Sequence, residues 1–127
     1  MNTKILMTSS ALFLGATGLI LSFLPEETIN YLNIENNAIT ILFIQLTSAL
    51  FLGFAILNWM AKGSLIGGIY NKPIAISNLM HFSVGSIAQI KMINQLENNV
   101  IFMYAFTAIY LIFALGFVAV FRINPIK

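Results

Sequence analysis

An all-α integral membrane protein, folded as an antiparallel four-helix bundle with short loops, is the fold class the sequence predicts. Three observations predict it. Only 8% of the 127 residues are charged and 59% are hydrophobic, whereas a soluble domain carries about 25% charge. The mean hydropathy of +0.91 leaves too few polar groups to cover a surface facing water. The apolar residues also gather into four long runs bordered by charge. At about 1.5 Å per residue, each run of about 20 residues crosses a hydrocarbon core of about 30 Å. One four-span domain is expected over residues 1–127. Polar and apolar residues do not alternate with period two, so the runs do not read as barrel strands.

The first span is expected at 5–24, "ILMTSSALFLGATGLILSFL". It reads as a retained helix rather than a cleaved signal peptide, because the run is long and no A-x-A site follows it. The second is expected at 38–61, "AITILFIQLTSALFLGFAILNWMA", and the fourth at 100–121, "VIFMYAFTAIYLIFALGFVAVF". The third, at 73–93, is the least apolar and contains the chain's only histidine, His81.

The connections carry the charges. "PEETINYLNIENN" holds Glu26, Glu27 and Glu35 and no base. Pro25 suits the first position of a helix, and the two glutamates suit its positive end. Leu24, Ile29 and Leu32 would then face the bilayer from a short interfacial helix. "KGSLIGGIYNK" is glycine-rich without a phosphate-binding or dinucleotide pattern, and Ile66, Ile69 and Tyr70 are expected to hold it at the interface. Lys4, Lys62, Lys72, Arg122 and Lys127 fall on one side of this threading, and Lys91 alone falls on the other. The positive-inside rule therefore places both termini in the cytoplasm.

Several functions are excluded by what is missing. The chain has no cysteine, hence no disulfide, thiolate metal site or thiol redox centre. Its six bases form no cluster for nucleic acid. No carboxylate lies within a span to orient a Ser–His pair or relay protons, so no catalytic residue and no metal site is expected.

Small residues and one polar stripe remain. "ALFLG" occurs at 11–15 and again at 49–53, and Gly15, Gly53, Gly85 and Gly116 are expected to let helices approach closely. Ser77, His81, Gly85 and Gln89 recur every four residues, with Asn78 beside them. On a helix they share a face that should point into the bundle. Depth along the spans suggests Tyr110 as partner for His81, Gln45 for Gln89, and Asn58 for Asn78. Thr17 and Thr107 can bond their own backbones. These groups serve either as interhelical hydrogen-bond glue or as the lining of a pocket around His81. Such a pocket would suit a small hydrophobic molecule such as a quinone, a lipid or haem. A bis-histidine haem would need a second chain.

The length, the four spans, the acidic "FLPEE" after span one and the "GGIYNKP…N..HF" segment leading into span three resemble small four-helix bacterial inner-membrane proteins, including DoxX-like families. The resemblance implies the fold and a bacterial cytoplasmic-membrane location. The chain's own residues lead to the expectation of a structural or accessory role with no resident cofactor, in contact with the bilayer and with itself or another membrane subunit. DoxX-like members have been linked with quinone-dependent oxidation as accessory subunits, and no residue here carries that activity over.

Overall fold

The computed structural model describes residues 2–122. Among them the regular structure is entirely helical: α1 (Thr3–Phe23), α2 (Pro25–Leu32), α3 (Ala38–Ala61), α4 (Lys72–Ile93) and α5 (Val100–Arg122), with a single 3₁₀ turn at Ile69–Asn71. Three of these helices, α1, α3 and α5, are long and apolar enough to cross a membrane. The 22 residues of α4 supply the length, but Ser77, Asn78, His81, Ser83, Ser86 and Gln89 dilute its apolar character.

Asparagines set most of the helix ends. Asn2 Oδ1 accepts from Lys4 N at 3.1 Å and Asn37 Oδ1 from Thr40 N at 2.9 Å. Each satisfies a donor that the first turn leaves free. Pro25 opens α2, with Glu26 and Glu27 in its first turn. Asn33 ends α2 at φ 56°. There the N–H of Asn33 donates to Asn30 O and that of Ile34 to Ile29 O, the paired pattern of a left-handed C-terminal cap. Asn71 ties the second connection down by donating Nδ2 to Leu65 O.

The chain divides into two compact units. Residues 7–60 form one, built on α1, α2 and α3. Ser10 bonds Asn58, Gly15 faces Ala55, and Gly18 faces Leu52 and Ser48. Partners on α3 thus descend as those on α1 ascend, so the two helices run antiparallel. A Cβ on Gly18 would lie 2.9 Å from Leu52 Cγ and 3.1 Å from its backbone N, so the close approach requires glycine there. Ile29 anchors α2 by complete burial, which corrects the expectation that it faces the bilayer. Glu26, Glu27, Asn30 and Tyr31 are exposed around it, so the apolar side of α2 turns onto its own unit.

The other unit combines the described residues of 1–6 and 61–122. Here α4 packs along α5 in antiparallel fashion, Phe82 meeting Phe113 and Phe117 while Gly85 meets Tyr110. The buried positions of α5, Thr107, Tyr110, Phe113, Ala114, Phe117 and Val120, recur every three or four residues, as one stripe of a helix must. Ile66 is fully buried, whereas Ile69 and Tyr70 are exposed, so only the latter two remain placed for an interface.

Candidate functional site

The buried face of α4 consists of Ala75, Asn78, Phe82, Ser86 and Ile93. It is rotated by about a quarter turn from the Ser77–His81–Gly85–Gln89 stripe expected from sequence, since each residue advances about 100°. Ser77, His81, Gly85 and Gln89 are only half-buried on its flank. Phe82, one position along from His81, is the centre of the packing. Its ring lies 4.9 Å from that of Phe113, 5.1 Å edge-on from Tyr110 and 5.9 Å in a stack with Phe117. Dispersion and ring quadrupoles outweigh the polar pattern here, because Phe82 packs its whole ring against three others. Four aromatics on facing helices were the sequence signal for this cluster.

His81 and Tyr110 do meet. Nε2 and the phenol oxygen are 3.1 Å apart; Tyr110 donates when the imidazole proton sits on Nδ1, and Nε2–H donates in the other tautomer. The imidazole stands edge-on to Phe82 at 5.0 Å, and Tyr110 is further flanked by Phe106 at 5.1 Å. Gly85 makes room for the phenol ring, since a Cβ there would lie 2.5 Å from Tyr110 Cε1. Gly116 faces Leu6 Cδ1, and a Cβ would come within 2.8 Å of it. Gly15 is in ordinary contact distance of Ala55 Cβ at 3.5 Å. Gly53 corrects the expectation: it is exposed, and a Cβ there would meet nothing within 4 Å. The second "ALFLG" therefore turns its glycine outward, because Ser48, Ala55 and Asn58 define the buried side of α3.

The remaining polar groups divide by what they bond. Asn58 donates Nδ2 to Ser10 Oγ at 3.0 Å, and Ser10 in turn donates to Met7 O. Ser48 donates to Gly18 O at 2.9 Å. Asn78 donates to Ile74 O, one turn back on its own helix. Gln45 is exposed on α3. Thr17 bonds Phe13 O as expected, but Thr107 departs from its expectation. Thr107 Oγ1 and Gln89 Oε1 are buried without a hydrogen-bond partner among the described residues. The pairing that sets Gly85 against Tyr110 puts Gln89 and Thr107 at one level, about one helical turn further along. The Ser10–Asn58 and Ser48–Gly18 bonds lie outside the pairs that depth suggests: in the expected spans Ser10 sits about 7 Å and Asn58 about 13 Å from the midplane.

Among the described residues, no group of three or more His, Cys, Asp or Glu is arranged to hold a metal ion. Comparison of the chain with family models, with curated proteins and with solved structures finds no match. The functional reading therefore rests on the residues themselves.

Proposed function

We propose that the chain is a small integral protein of the bacterial inner membrane, spanning it four times with both termini in the cytoplasm. Its role is structural or accessory, and it contains no catalytic site. One observation carries the reading: large apolar side chains cover the outside of the helices, while several polar side chains are buried. Ser10, Ser48, Asn58, Asn78, Ser86 and Thr107 are buried, while Leu12, Leu19, Phe43, Leu50, Ile56, Ile112 and Leu115 are more than half or about half exposed. In water so much outward apolar surface drives aggregation. In hydrocarbon it is the expected solvent-facing surface, with polar groups turned inward. The same pattern supports α4 as a fourth span, for Met80, Val84, Ile87 and Ile90 are exposed while Asn78 and Ser86 are buried.

An accessory role is supported by how the polar groups are used. Ser10, Ser48, Asn58, His81 and Tyr110 bond within the protein, at about 0.6 kcal/mol for an average interhelical bond in a membrane. Gln45 instead offers an exposed amide on an apolar helix, which suits contact with a second copy or another membrane subunit. The chain lacks cysteine, so single-cysteine variants test the threading cleanly. Asn36→Cys should react with a membrane-impermeant maleimide from outside intact cells, and Tyr70→Cys only after lysis. Labelling of Tyr70→Cys from outside, or release of the chain by alkaline carbonate, would overturn the reading.

The unpartnered Gln89 Oε1 and Thr107 Oγ1 favour one alternative, a small hydrophobic ligand with a carbonyl or hydroxyl, such as a quinone, held between α4 and α5. Organic extracts of the purified protein should then contain stoichiometric ligand, lost in Thr107→Val. Absence of ligand, with Thr107→Val more stable than the parent, would sink it, because removing an unsatisfied buried hydroxyl relieves a cost.

A further inference from the structure

The α1–α3 unit carries a feature that the polar groups do not explain. Leu21 at the end of α1, Leu32 and Ile34 at the end of α2, and Ile39, Phe43 and Ile44 at the start of α3 line an open groove of about 390 Å³. We propose that this groove holds one acyl chain of a phospholipid whose headgroup carries an ammonium. The proposal rests on the membrane reading above.

The lining selects a hydrocarbon occupant. Its polar members are Thr28, Thr40 and Thr47, and each hydroxyl is already engaged. Thr28 donates to Leu24 O at 2.8 Å, Thr40 to Asn37 Oδ1 at 3.2 Å and Thr47 to Phe43 O at 2.8 Å. With each hydroxyl proton committed within the chain, these threonines offer no free donor to a polar ligand, and the rest of the lining is aliphatic or aromatic. The size falls within the about 300–1,000 Å³ of small-molecule sites. The walls are fixed before any ligand arrives: Ile29 is fully buried beneath α2, and the Asn33 cap locks the turn that leads to Ile34.

Charge selects the headgroup. Between Ile5 and Ala61 the chain holds no Lys, Arg or His, and its three charges are Glu26, Glu27 and Glu35. Glu27 precedes the lining Thr28, and Glu35 follows the lining Ile34. The positive end of α2 is already opposed by Glu26 and Glu27 in its first turn. Within this unit an anionic headgroup meets three carboxylates and no base. A headgroup with an ammonium meets complementary charge.

The test uses the full chain in nanodiscs of equimolar phosphatidylethanolamine and phosphatidylglycerol, released into native mass spectrometry. One retained lipid is expected, with phosphatidylethanolamine favoured about fivefold, the ratio that about one surface charge's attraction yields. Ile44→Trp, which fills the groove, should abolish retention. Thr47→Phe provides a second filled variant, and a circular dichroism spectrum identical to the parent's establishes that each has folded. Glu26→Gln/Glu27→Gln/Glu35→Gln should retain one lipid without headgroup preference. No lipid on the parent, equal retention by a folded filled variant, or equal binding of both lipids by the parent would overturn the proposal. So would crosslinking of two copies through Phe43→Cys at the expense of lipid. Carbonate extraction of the same membranes separates the two failures: a chain that stays embedded and binds no lipid defeats only the groove, whereas a released chain defeats the membrane reading itself.

Discussion

Where α1 meets α3, small residues and hydroxyls set the distance; where α4 meets α5, rings do. Gly18 brings the backbone of Leu52 close, Ser48 donates across to Gly18 O, and Asn58 reaches Ser10. On the other pair Phe82 is surrounded by Tyr110, Phe113 and Phe117, and the single Gly85 is a seat for a ring rather than for a backbone. On the membrane reading proposed above, lipid tails are as apolar as leucine, so helices gain little from burying apolar surface against each other. What remains is dispersion and hydrogen bonding. The first pair draws on backbone approach and short bonds, the second on ring area. The two pairs should therefore fail under different substitutions.

The largest effect is expected at Phe82. Phe82→Ala removes the ring on which the α4–α5 cluster is built. It should cost about 2 kcal/mol, roughly half of the about 3–5 kcal/mol that such a truncation costs in a water-soluble core, because the transfer contribution is small in lipid. Unfolding in mixed detergent micelles measures it. A loss no greater than that of Val84→Ala, which is exposed on the same helix, would show that the ring cluster does not hold the pair.

Next comes Gly85→Ala. The new Cβ would stand 2.5 Å from Tyr110 Cε1, and the ring is hemmed in by Phe82, Phe106 and the bond to His81. Overpacking of this kind costs about 1–3 kcal/mol. Gly116→Ala makes the informative control. Its nearest neighbour is Leu6 Cδ1 at 2.8 Å, the far end of a flexible side chain that can move aside, so a smaller cost is expected. If both substitutions cost the same, room for the Tyr110 ring is not what Gly85 provides.

The helix ends were legible in the sequence because their signals are local. Span limits of 38–61 and 100–121 were expected, against Ala38–Ala61 and Val100–Arg122 in the structure, and Pro25 marked the start of α2. The rotation of α4 was not legible. Polar residues every four positions predicted the buried side, but a half-buried His81 can reach Tyr110 from the flank while Phe82 takes the centre. Polarity alone could not rank a ring against a stripe of small polar groups. Gly53 misled for a related reason: a small-residue motif records that close approach is possible, not that a neighbour lies on that side. The His81–Tyr110 match was legible from depth, which depends only on the rise per residue.

The hydrogen bonds are the third rank of effect. A double-mutant cycle of Ser10→Ala and Asn58→Leu should give a coupling of about 0.6 kcal/mol, and the His81→Ala, Tyr110→Phe cycle a similar one, the average for interhelical bonds in lipid. Equal couplings on the two pairs would show that the pairs differ in packing and not in bond strength. A coupling near zero for His81 and Tyr110 alone would mean that Phe82 and Gly85 position the phenol without help from the imidazole.

The smallest effect sharpens the comparison most cheaply. A Cβ on Gly53 meets nothing within 4 Å, whereas one on Gly18 meets Leu52 at 2.9 Å and the Leu52 backbone at 3.1 Å. Both glycines lie in apolar helices of the same unit, so loss of backbone freedom is similar for the two and cancels in the difference. In dilute micelles, Gly53→Ala should change stability by no more than about 0.5 kcal/mol, as an exposed substitution does. Gly18→Ala should exceed it by the cost of forcing α1 and α3 apart. Because Gly53 shares its outward side of α3 with Ala49, four residues earlier, the same variant also reports on self-association. A Gly53→Ala protein as stable as the parent but with fewer dimers in a crosslinking assay would assign that glycine to contact between chains. An unchanged dimer fraction would leave Gly53 facing lipid, with Leu52 the residue of the second "ALFLG" that packs, against Gly18.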